Sequence, residues 1–228
     1  MSLPLSDYKT FIFDCDGVLL DSNKVKTQAF YQAALPYGEA AAQDLLEYHV
    51  ANGGISRYQK FAYFLEHIVP LHTPVAVEAD LESLLSTYAQ LVQEGLLSCK
   101  IATGLKELRY QTRQSKWLVV SGGDQKELHS IFAQRNLTSL FDGGIFGSPD
   151  NKDHILAREL DSENIQFPAL FLGDSKYDYQ VAHQAGIDFV FISGWSEVEA
   201  YEGWCKVNNL SSIKSIETLL LYSQFTIK

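Results

Sequence analysis

The feature that most constrains this 228-residue chain is a short apolar run that ends in two aspartates. Residues 10–13 are β-branched and aromatic, which indicates a buried strand. Asp14 and Asp16 follow on either side of Cys15, and Gly17 then lets the backbone turn sharply. The pattern therefore predicts a pair of acids at the carboxyl end of a buried strand, with the Cys15 side chain facing away from them.

Two carboxylates this close together need a counter-charge or a shared proton. The carboxyl ends of strands are where open parallel sheets bind ligands, and Mg²⁺ prefers hard oxygen donors. Asp14 and Asp16 are therefore candidate magnesium ligands. The alternative is that both are ordinary turn residues, since aspartate also favours turns.

The whole run from Asp14 to Ser22, Asp-Cys-Asp-Gly-Val-Leu-Leu-Asp-Ser, resembles the first motif of the haloacid dehalogenase-like (HAD) hydrolase superfamily. The resemblance implies an α/β fold, with a doubly wound, Rossmann-like parallel sheet and an inserted α-helical cap. Within the superfamily the chain resembles the helical-cap subgroup of phosphoglycolate phosphatase and β-phosphoglucomutase. Three later segments match further motifs in the family's order.

The order of patterns along the chain fits that architecture. Helical patterns without a strand follow Ser22, a candidate N-cap, and continue to about residue 95. They predict helices from Ser22 to Pro36, over 39–50, from Ser56 to Pro70, and from Thr73-Pro74 to about 93. From Gly104 onward, helices alternate with apolar strands. Strands are predicted over 117–121, 144–146, 169–173 and 188–192, and the helices include ones over 125–134, near 197–207 and near 213–222. We expect a core of residues 1–17 and 96–228 and a cap of residues 18–95.

The second matching segment ends the strand over 117–121. Ser121 is followed by Gly122 and Gly123, and a hydroxyl with backbone N–H groups at this position can bind an anion. The resemblance assigns Ser121 to a phosphoryl oxygen and Gly122 to substrate binding. An ordinary N-cap serine is the alternative.

In the family that the chain resembles, the third segment supplies a lysine that balances the charge of the nucleophile and of the transferring phosphate. Lys152 is the best match, and Lys176 is the rival position. Many family members have Lys-Pro here, and this chain does not. A solvated surface lysine is the alternative for Lys152.

The fourth segment resembles the Gly-Asp-x-x-x-Asp motif and places two acids after an apolar strand. The resemblance makes Asp174 a metal ligand and Asp178 a ligand through water or a partner of the ligands. Asp178 also fits a first-turn helix acid.

One segment of the predicted cap, Gly54-Ile55-Ser56-Arg57, resembles a substrate-contacting run of β-phosphoglucomutase-like proteins. It makes Arg57 a candidate for binding a distal anionic group of the substrate. An exposed arginine without a partner is the alternative. Lys26 occupies the position of a histidine that assists proton transfer in the mutases, which counts against a mutase.

The composition of the chain argues against nucleic acid and membrane as binding partners. The net charge of −10 argues against a nucleic-acid surface, and no apolar run approaches the span of a membrane helix. Three scattered cysteines and the absence of a signal-peptide pattern predict a cytoplasmic location. Oligomeric state stays open.

We therefore expect a Mg²⁺-dependent phosphatase of a small phosphorylated metabolite, such as a sugar phosphate or a phosphoglycolate-like compound. The resemblance makes Asp14 the nucleophile and Asp16 the acid/base, with Mg²⁺ held by Asp14, the carbonyl of Asp16 and Asp174. A dehalogenase or a phosphonate hydrolase departs from the motif at Asp16. A phosphomutase and a non-catalytic binding module on the same fold are the alternatives.

Overall fold

The computed structural model describes residues 4–72 and 80–222 of the chain. The predicted start of a helix at Thr73-Pro74 lies outside the described residues. Within those residues, no helix combines the length and the apolar character that crossing a membrane requires.

A six-stranded parallel sheet forms the centre of the molecule, in the order β3-β2-β1-β4-β5-β6. The strands are β1 (Thr10–Phe13), β2 (Lys116–Asp124), β3 (Gly144–Ser148), β4 (Ala169–Gly173), β5 (Asp188–Ile192) and β6 (Ser211–Ile213). This is the doubly wound order, in which the chain changes direction across the sheet beside β1. The predicted fold class is confirmed.

Over residues 23–98 the described chain is mostly helical, and we call the helices of this segment the helical lobe. They are α1 (Asn23–Ala34), α2 (Glu39–Ala51), α3 (Arg57–Tyr63), α4 (Val69–His72) and α5 (Leu81–Ser98). A π-helical turn, Phe64–Ile68, joins α3 to α4, and a 3₁₀ turn, Leu35–Tyr37, follows α1. Phe30, Phe61 and Tyr88 pack ring against ring inside the lobe, and they belong to the same apolar cluster as one face of the sheet.

The remaining helices cover the two faces of the sheet. They are α6 (Leu105–Gln111), α7 (Gln125–Gln134), α8 (Lys152–Asp161), α9 (Lys176–Gln184), α10 (Tyr201–Val207) and α11 (Ile216–Tyr222), with 3₁₀ turns at Leu5–Asp7 and Thr138–Leu140. Alternate residues of β1 illustrate the two layers: Phe11 and Phe13 belong to the apolar cluster that includes the lobe, and Ile12 belongs to the cluster on the opposite face.

The chain leaves and re-enters the core at one place. Leu20 and Ile101 form an antiparallel bridge, and the backbone N–H of Ala102 donates to the carbonyl of Leu19. The two connecting segments therefore run side by side, close to the predicted boundaries at residues 17 and 96. The division into two domains stays a prediction.

Local predictions differ from the structure mainly at polar ends. The helix expected over 213–222 begins only at Ile216, because residues 211–213 form the edge strand β6. The helix expected from Glu197 begins at Tyr201. Ser22 precedes α1 as expected, but its hydroxyl donates to Asp16 and does not cap the helix.

Candidate active site

The polar side chains converge where β1, β2 and β4 end. Phe13, the last residue of β1, pairs with Val119 of β2 and with Leu172 of β4. Asp14 therefore leaves the middle strand beside the end of β4, while β2 continues on its other side to Asp124. This position is the crevice at which doubly wound sheets bind ligands.

A buried ion-pair chain runs through Asp14. Lys152 Nζ lies 2.9 Å from Asp14 Oδ1 and 2.5 Å from Asp178 Oδ1, and all three side chains are buried. The backbone N–H of Cys15 also donates to Asp14 Oδ1, at 2.7 Å. Among the described residues both donors to Asp14 use Oδ1, so Oδ2 is left for another partner.

Lys152 lies beside Asp14, and the rival lysine does not. Lys176 is exposed at the start of α9, on the outside of the molecule. Lys152 lies at the start of α8, the helix that follows β3, with a side chain that is only 1% exposed. A buried ammonium needs a carboxylate partner, and Lys152 has two.

Asp178 both caps a helix and pairs with Lys152. Its Oδ2 accepts from the backbone N–H and the hydroxyl of Ser175 and from the backbone N–H of Asp174, while the Ser175 hydroxyl accepts from the N–H of Asp178. This is a capping box at the start of α9. The capping box fits the interpretation of Asp178 as a helix acid, and its ion pair with Lys152 places it beside Asp14; its role as a ligand through water or a partner of metal ligands stays a prediction.

Asp174 is held against the backbone of the first motif. Asn23 Nδ2 donates to Asp174 Oδ2 at 2.7 Å and to the carbonyl of Trp195 at 2.9 Å. A Cβ at residue 17 would lie 2.0 Å from Asp174 Oδ2, and Gly17 also has a φ of +75°. Only glycine fits there, because a side chain would both clash and strain the backbone.

The donor set fits a hard divalent cation. Single carboxylate oxygens of Asp14, Asp174 and Asp178 lie within 4.8 Å of one another, and all three residues are buried. Three carboxylates and the one ammonium of Lys152 leave two excess negative charges in a low-dielectric site. Mg²⁺ would balance that charge with oxygen ligands of the type it prefers.

Two acids of this cluster, Asp14 and Asp174, resist ionisation without such a cation. Burial raises the pKa of Asp14 to about 7, with Lys152 opposing the rise and Asp178 adding to it. Burial and the charge of Asp14 raise the pKa of Asp174 well above its usual range. A bound cation would reverse both effects, because it stabilises the carboxylate forms.

Asp16 points away from the three-acid cluster and toward the helical lobe. Its Oδ2 lies 2.5 Å from Lys26 Nζ, and its Oδ1 accepts from the Ser22 hydroxyl at 2.6 Å. Burial favours the protonated acid, but Lys26, Ser22 and Lys152 together outweigh burial and lower the pKa of Asp16. The Asp16 side chain is therefore not part of the three-acid cluster, which is compatible with the expectation that only its carbonyl would bind a metal.

The second motif lies directly beneath the lobe. Ser121 is fully buried, and its Oγ accepts from the backbone N–H of Gly123 at 3.0 Å. A Cβ at residue 122 would lie 2.3 Å from the carbonyl oxygen of Gly54. Gly122 therefore permits the close approach of the lobe and lines the central cavity together with Gly123.

Arg57 is buried and bound to the core. Its two terminal nitrogens donate to the carboxylate of Glu127 on α7, with Nη1 3.1 Å from Oε2. The next two residues also reach the core: the Tyr58 hydroxyl donates to Asp124 at 2.6 Å, and Gln59 Nε2 donates to Asn151 at 2.7 Å. We call these three consecutive contacts of α3 the lobe latch.

A cavity of about 70 Å³ lies between the strand ends and the lobe. Its lining includes Asp14, Asp16 and Asp174 from the core side, and Lys26, Arg57 and Lys60 from the lobe side. Sequence reasoning did not identify Asn23, Glu127, His49 or Lys60. Asn23 gave one usable signal, because it opens the helix directly after the first motif.

Cys15 takes no part in the site. Its side chain is 1% exposed within the apolar core, as the alternation along the strand predicts. Burial, with the charge of Asp16 next in size, raises the pKa of its thiol well above the usual range. A thiolate nucleophile is not available at this position.

Comparison with known protein families gives a match over the part of the chain that contains the four motif segments. The family model of the haloacid dehalogenase-like hydrolases matches residues 11–192. No curated protein matches the sequence significantly.

Solved structures share the fold at low identity. A haloacid dehalogenase-like family hydrolase from Streptococcus pneumoniae is 19% identical, with a TM-score of 0.65 over 95% of this chain and 99% of that chain. A predicted phosphoglycolate phosphatase from Haemophilus somnus is 18% identical, with a TM-score of 0.65 over 82% of this chain and 86% of the other. CbbY from Rhodobacter sphaeroides, solved in complex with phosphate, is 16% identical, with a TM-score of 0.64 over 91% and 94% of the two chains.

Proposed function

The chain belongs to the haloacid dehalogenase-like hydrolase family, and on that premise we propose that it is a Mg²⁺-dependent phosphatase of a small phosphorylated metabolite. The observation that carries the proposal is the contact between Lys152 and Asp14 at the end of the central strand. This contact holds the buried Asp14 carboxylate at the carboxyl end of the central strand. Among the described residues, its Oδ2 accepts no hydrogen bond from the protein.

In the first half of the proposed reaction, Asp14 Oδ2 attacks the phosphorus of the ester. The bond from phosphorus to the ester oxygen breaks, and Asp16 gives that leaving oxygen a proton. Asp14 then carries the phosphoryl group as an aspartyl-phosphate. Asp14, Asp174 and the Asp16 carbonyl would hold Mg²⁺, which would neutralise charge on the phosphoryl oxygens.

In the second half, Asp16 accepts a proton from water as the water attacks the phosphorus, and the bond to Asp14 breaks. The ion pair with Lys26 favours this step, because it keeps Asp16 ionised and therefore basic. The same ion pair opposes the first step, in which Asp16 must be protonated. A negative phosphoryl group entering between Asp14 and Lys26 would weaken that opposition, because it competes for the ammonium.

The other polar groups of the site balance negative charge and position the phosphoryl group. Lys152 balances Asp14 and the phosphoryl group, and Asp178 fixes the lysine. Ser121 and Gly122 are proposed to bind phosphoryl oxygens through the Ser121 hydroxyl and backbone N–H groups. The Ser121 hydroxyl is free to donate, because its oxygen is the acceptor of its one hydrogen bond among the described contacts.

We propose that the helical lobe is the cap of the enzyme. It closes over Asp14, excludes bulk water and adds contacts to the leaving group. Arg57 remains a candidate for binding a distal anion of the substrate, but it must then release or share Glu127. The phosphoglycolate phosphatase-like relatives make a compact phosphate ester the first substrate class to test. The three unpaired cysteines support the proposed cytoplasmic location.

A panel of phosphorylated metabolites, assayed for phosphate release with Mg²⁺, tests the proposal. Release from at least one ester by the native protein, lost in Asp14→Asn, is the expected result. Conversion of an ester into its positional isomer without phosphate release would instead identify a phosphomutase. Ester binding without either reaction would identify a non-catalytic module.

A further inference from the structure

Lys60 is a buried cation whose place in the site the reaction does not explain. It lies on α3, is 2% exposed and lines the central cavity. Its Nζ donates to His49 Nδ1 at 2.7 Å and to the His49 carbonyl at 3.3 Å. An ammonium has three N–H donors, so one remains for a third partner.

The neighbours of Lys60 form a one-directional hydrogen-bond chain. Burial, followed by the charge of Lys60, lowers the pKa of His49 well below its usual range, so the imidazole is neutral. Because Nδ1 accepts from Lys60, Nε2 carries the proton and donates to Thr27 Oγ1 at 3.1 Å. Thr27 in turn donates to Glu197 at 2.8 Å. These hydrogen bonds fix the position of the Lys60 ammonium. The carboxylate of the series, Glu197, lies at its other end and does not contact Lys60.

Among the described residues Lys60 is the one cation of the cavity wall without an ion-pair partner. Lys26 is paired with Asp16, and Arg57 with Glu127. Burial and the charge of Lys26 lower the pKa of Lys60 to about 7. A buried ammonium without a counter-charge costs folding free energy, and such groups are concentrated at functional sites.

A second, outer groove next to the cavity is less suited to an anion than the position beside Lys60. A groove of about 600 Å³ adjoins the cavity and shares Gly53 and Ile55 with it. Its wall carries Glu47, Glu199 and Glu197, which also lines the cavity, against a single lysine. The outer groove therefore repels an anionic group, whereas Lys60 on the lobe side of the cavity attracts one.

On the basis of the proposed function, we infer that Lys60 is the specificity-determining residue of the site and binds a second anionic group of the substrate, a carboxylate, that the leaving group carries. The cavity of about 70 Å³ is far below the roughly 300–1,000 Å³ of sites for larger ligands. The substrate class is therefore a compact phosphate monoester that bears a carboxylate. Its phosphoryl group lies at Asp14 and its carboxylate at Lys60.

Binding of two phosphonates, measured by calorimetry with Mg²⁺ present, tests this inference. Phosphonoacetate carries a carboxylate, and ethylphosphonate does not. A charge-assisted contact predicts that the native protein binds phosphonoacetate about 10- to 100-fold more tightly. Lys60→Gln keeps a donor for His49 but removes the charge, and it should lose most of that preference. Lys126→Gln, a change of an exposed lysine on α7, should retain it.

Equal affinities in the native protein, binding of neither phosphonate, or a full preference in Lys60→Gln would overturn the inference. If Lys60→Gln does not fold, Lys60→Met serves as the second variant, and the native comparison stands without either. The result is separable from the proposed function, because binding requires no turnover. Hydrolysis of ethyl phosphate as fast as 2-phosphoglycolate would overturn the inference and leave the phosphatase intact, whereas hydrolysis of no ester would overturn only the phosphatase.

Discussion

Lys26 Nζ lies 2.5 Å from Asp16 Oδ2, and this buried ion pair joins the first helix of the lobe to the proposed acid/base. Lys26 is 8% exposed, so water screens the interaction little. The same position holds a histidine in the mutases that the chain resembles. We therefore expect the lysine to change the proton-transfer properties of the site as well as its charge.

Lys26→Met should move the acidic limb of the pH–rate profile to higher pH. Lys26 is the largest of the influences that lower the pKa of Asp16, so its removal lets burial raise that pKa. The hydrolytic step needs the Asp16 carboxylate and therefore loses rate at a higher pH than in the native enzyme. The measurement is turnover of an aryl phosphate, whose leaving oxygen needs little protonation. Lys24→Met, a change of an exposed lysine on the same helix, is the control, and an unmoved limb in Lys26→Met would contradict the assignment.

The lobe latch predicts that Arg57 and Glu127 act together. Removing one member of a buried, hydrogen-bonded charge pair typically costs about 3–5 kcal/mol, because the other charge is left without a partner. Arg57→Ala and Glu127→Gln should each lower kcat/KM, even for an aryl phosphate, because the lobe closes less firmly.

A double-mutant cycle in kcat/KM measures the coupling of the two residues. The double variant should lose less than the sum of the two single losses. A loss in Arg57→Ala that is confined to substrates with a second anion, without coupling to Glu127, would instead support the sequence-based role of Arg57 as an anion ligand.

Local structure was predictable where the sequence has a clear period. The bounds expected for β4 and β5, and those for α7, match the structure. The edge strand β6 was missed, because its three residues include two serines and carry no apolar pattern. A short edge strand depends on pairing with β5, which no local signal encodes.

The residues of the site that belong to a single sequence motif were predictable, whereas contacts between distant segments were not. Asp14 and Asp174 follow apolar strands, and parallel pairing brings the ends of such strands together. The contacts between Asn23 and Asp174, 151 positions apart, and between Arg57 and Glu127, 70 apart, were not predictable. They depend on how the lobe packs on the sheet, which the spacing of residues along the chain does not determine.

Removal of metal should abolish activity. Three buried acids share one lysine, and burial raises the pKa of two of them, Asp14 and Asp174, so we expect a divalent cation to hold these two ionised. Excess chelator should stop phosphate release, Mg²⁺ should restore it, and Ca²⁺ should not, because Ca²⁺ prefers looser and higher coordination. Mg²⁺ should also raise the melting temperature of the native protein. Asp174→Asn should lose much of that rise, and full turnover in chelator would refute the metal site.

The stability of the native protein should depend on Lys60 at alkaline pH. The pKa of Lys60 is about 7 in the folded chain and about 10.4 in an unfolded one. Between these values the unfolded chain binds a proton that the folded chain does not, so stability rises with pH, by up to about 1.4 kcal/mol per pH unit. Below pH 7 the cost of the buried charge is fully present.

Denaturant unfolding of the native protein and of Lys60→Gln across pH 7 to 10 checks this slope. The native protein should gain stability relative to the variant as the pH rises, because other titrating groups are common to both. Lys126→Gln is the matched control and should show a constant difference. A constant difference for Lys60→Gln as well would show that Lys60 titrates normally.

Covalent labelling at Asp14 tests the central claim most directly. In Asp16→Asn the nucleophile remains but the acid/base is lost, which typically slows a reaction about 10²–10⁴-fold. With an activated aryl phosphate, acid-quenched Asp16→Asn protein should therefore carry one phosphoryl group, and peptide mass spectrometry should locate it on Asp14. Asp14→Asn, treated in the same way, should carry none. A phosphoryl group on another residue, or labelling that persists in Asp14→Asn, would contradict the mechanism.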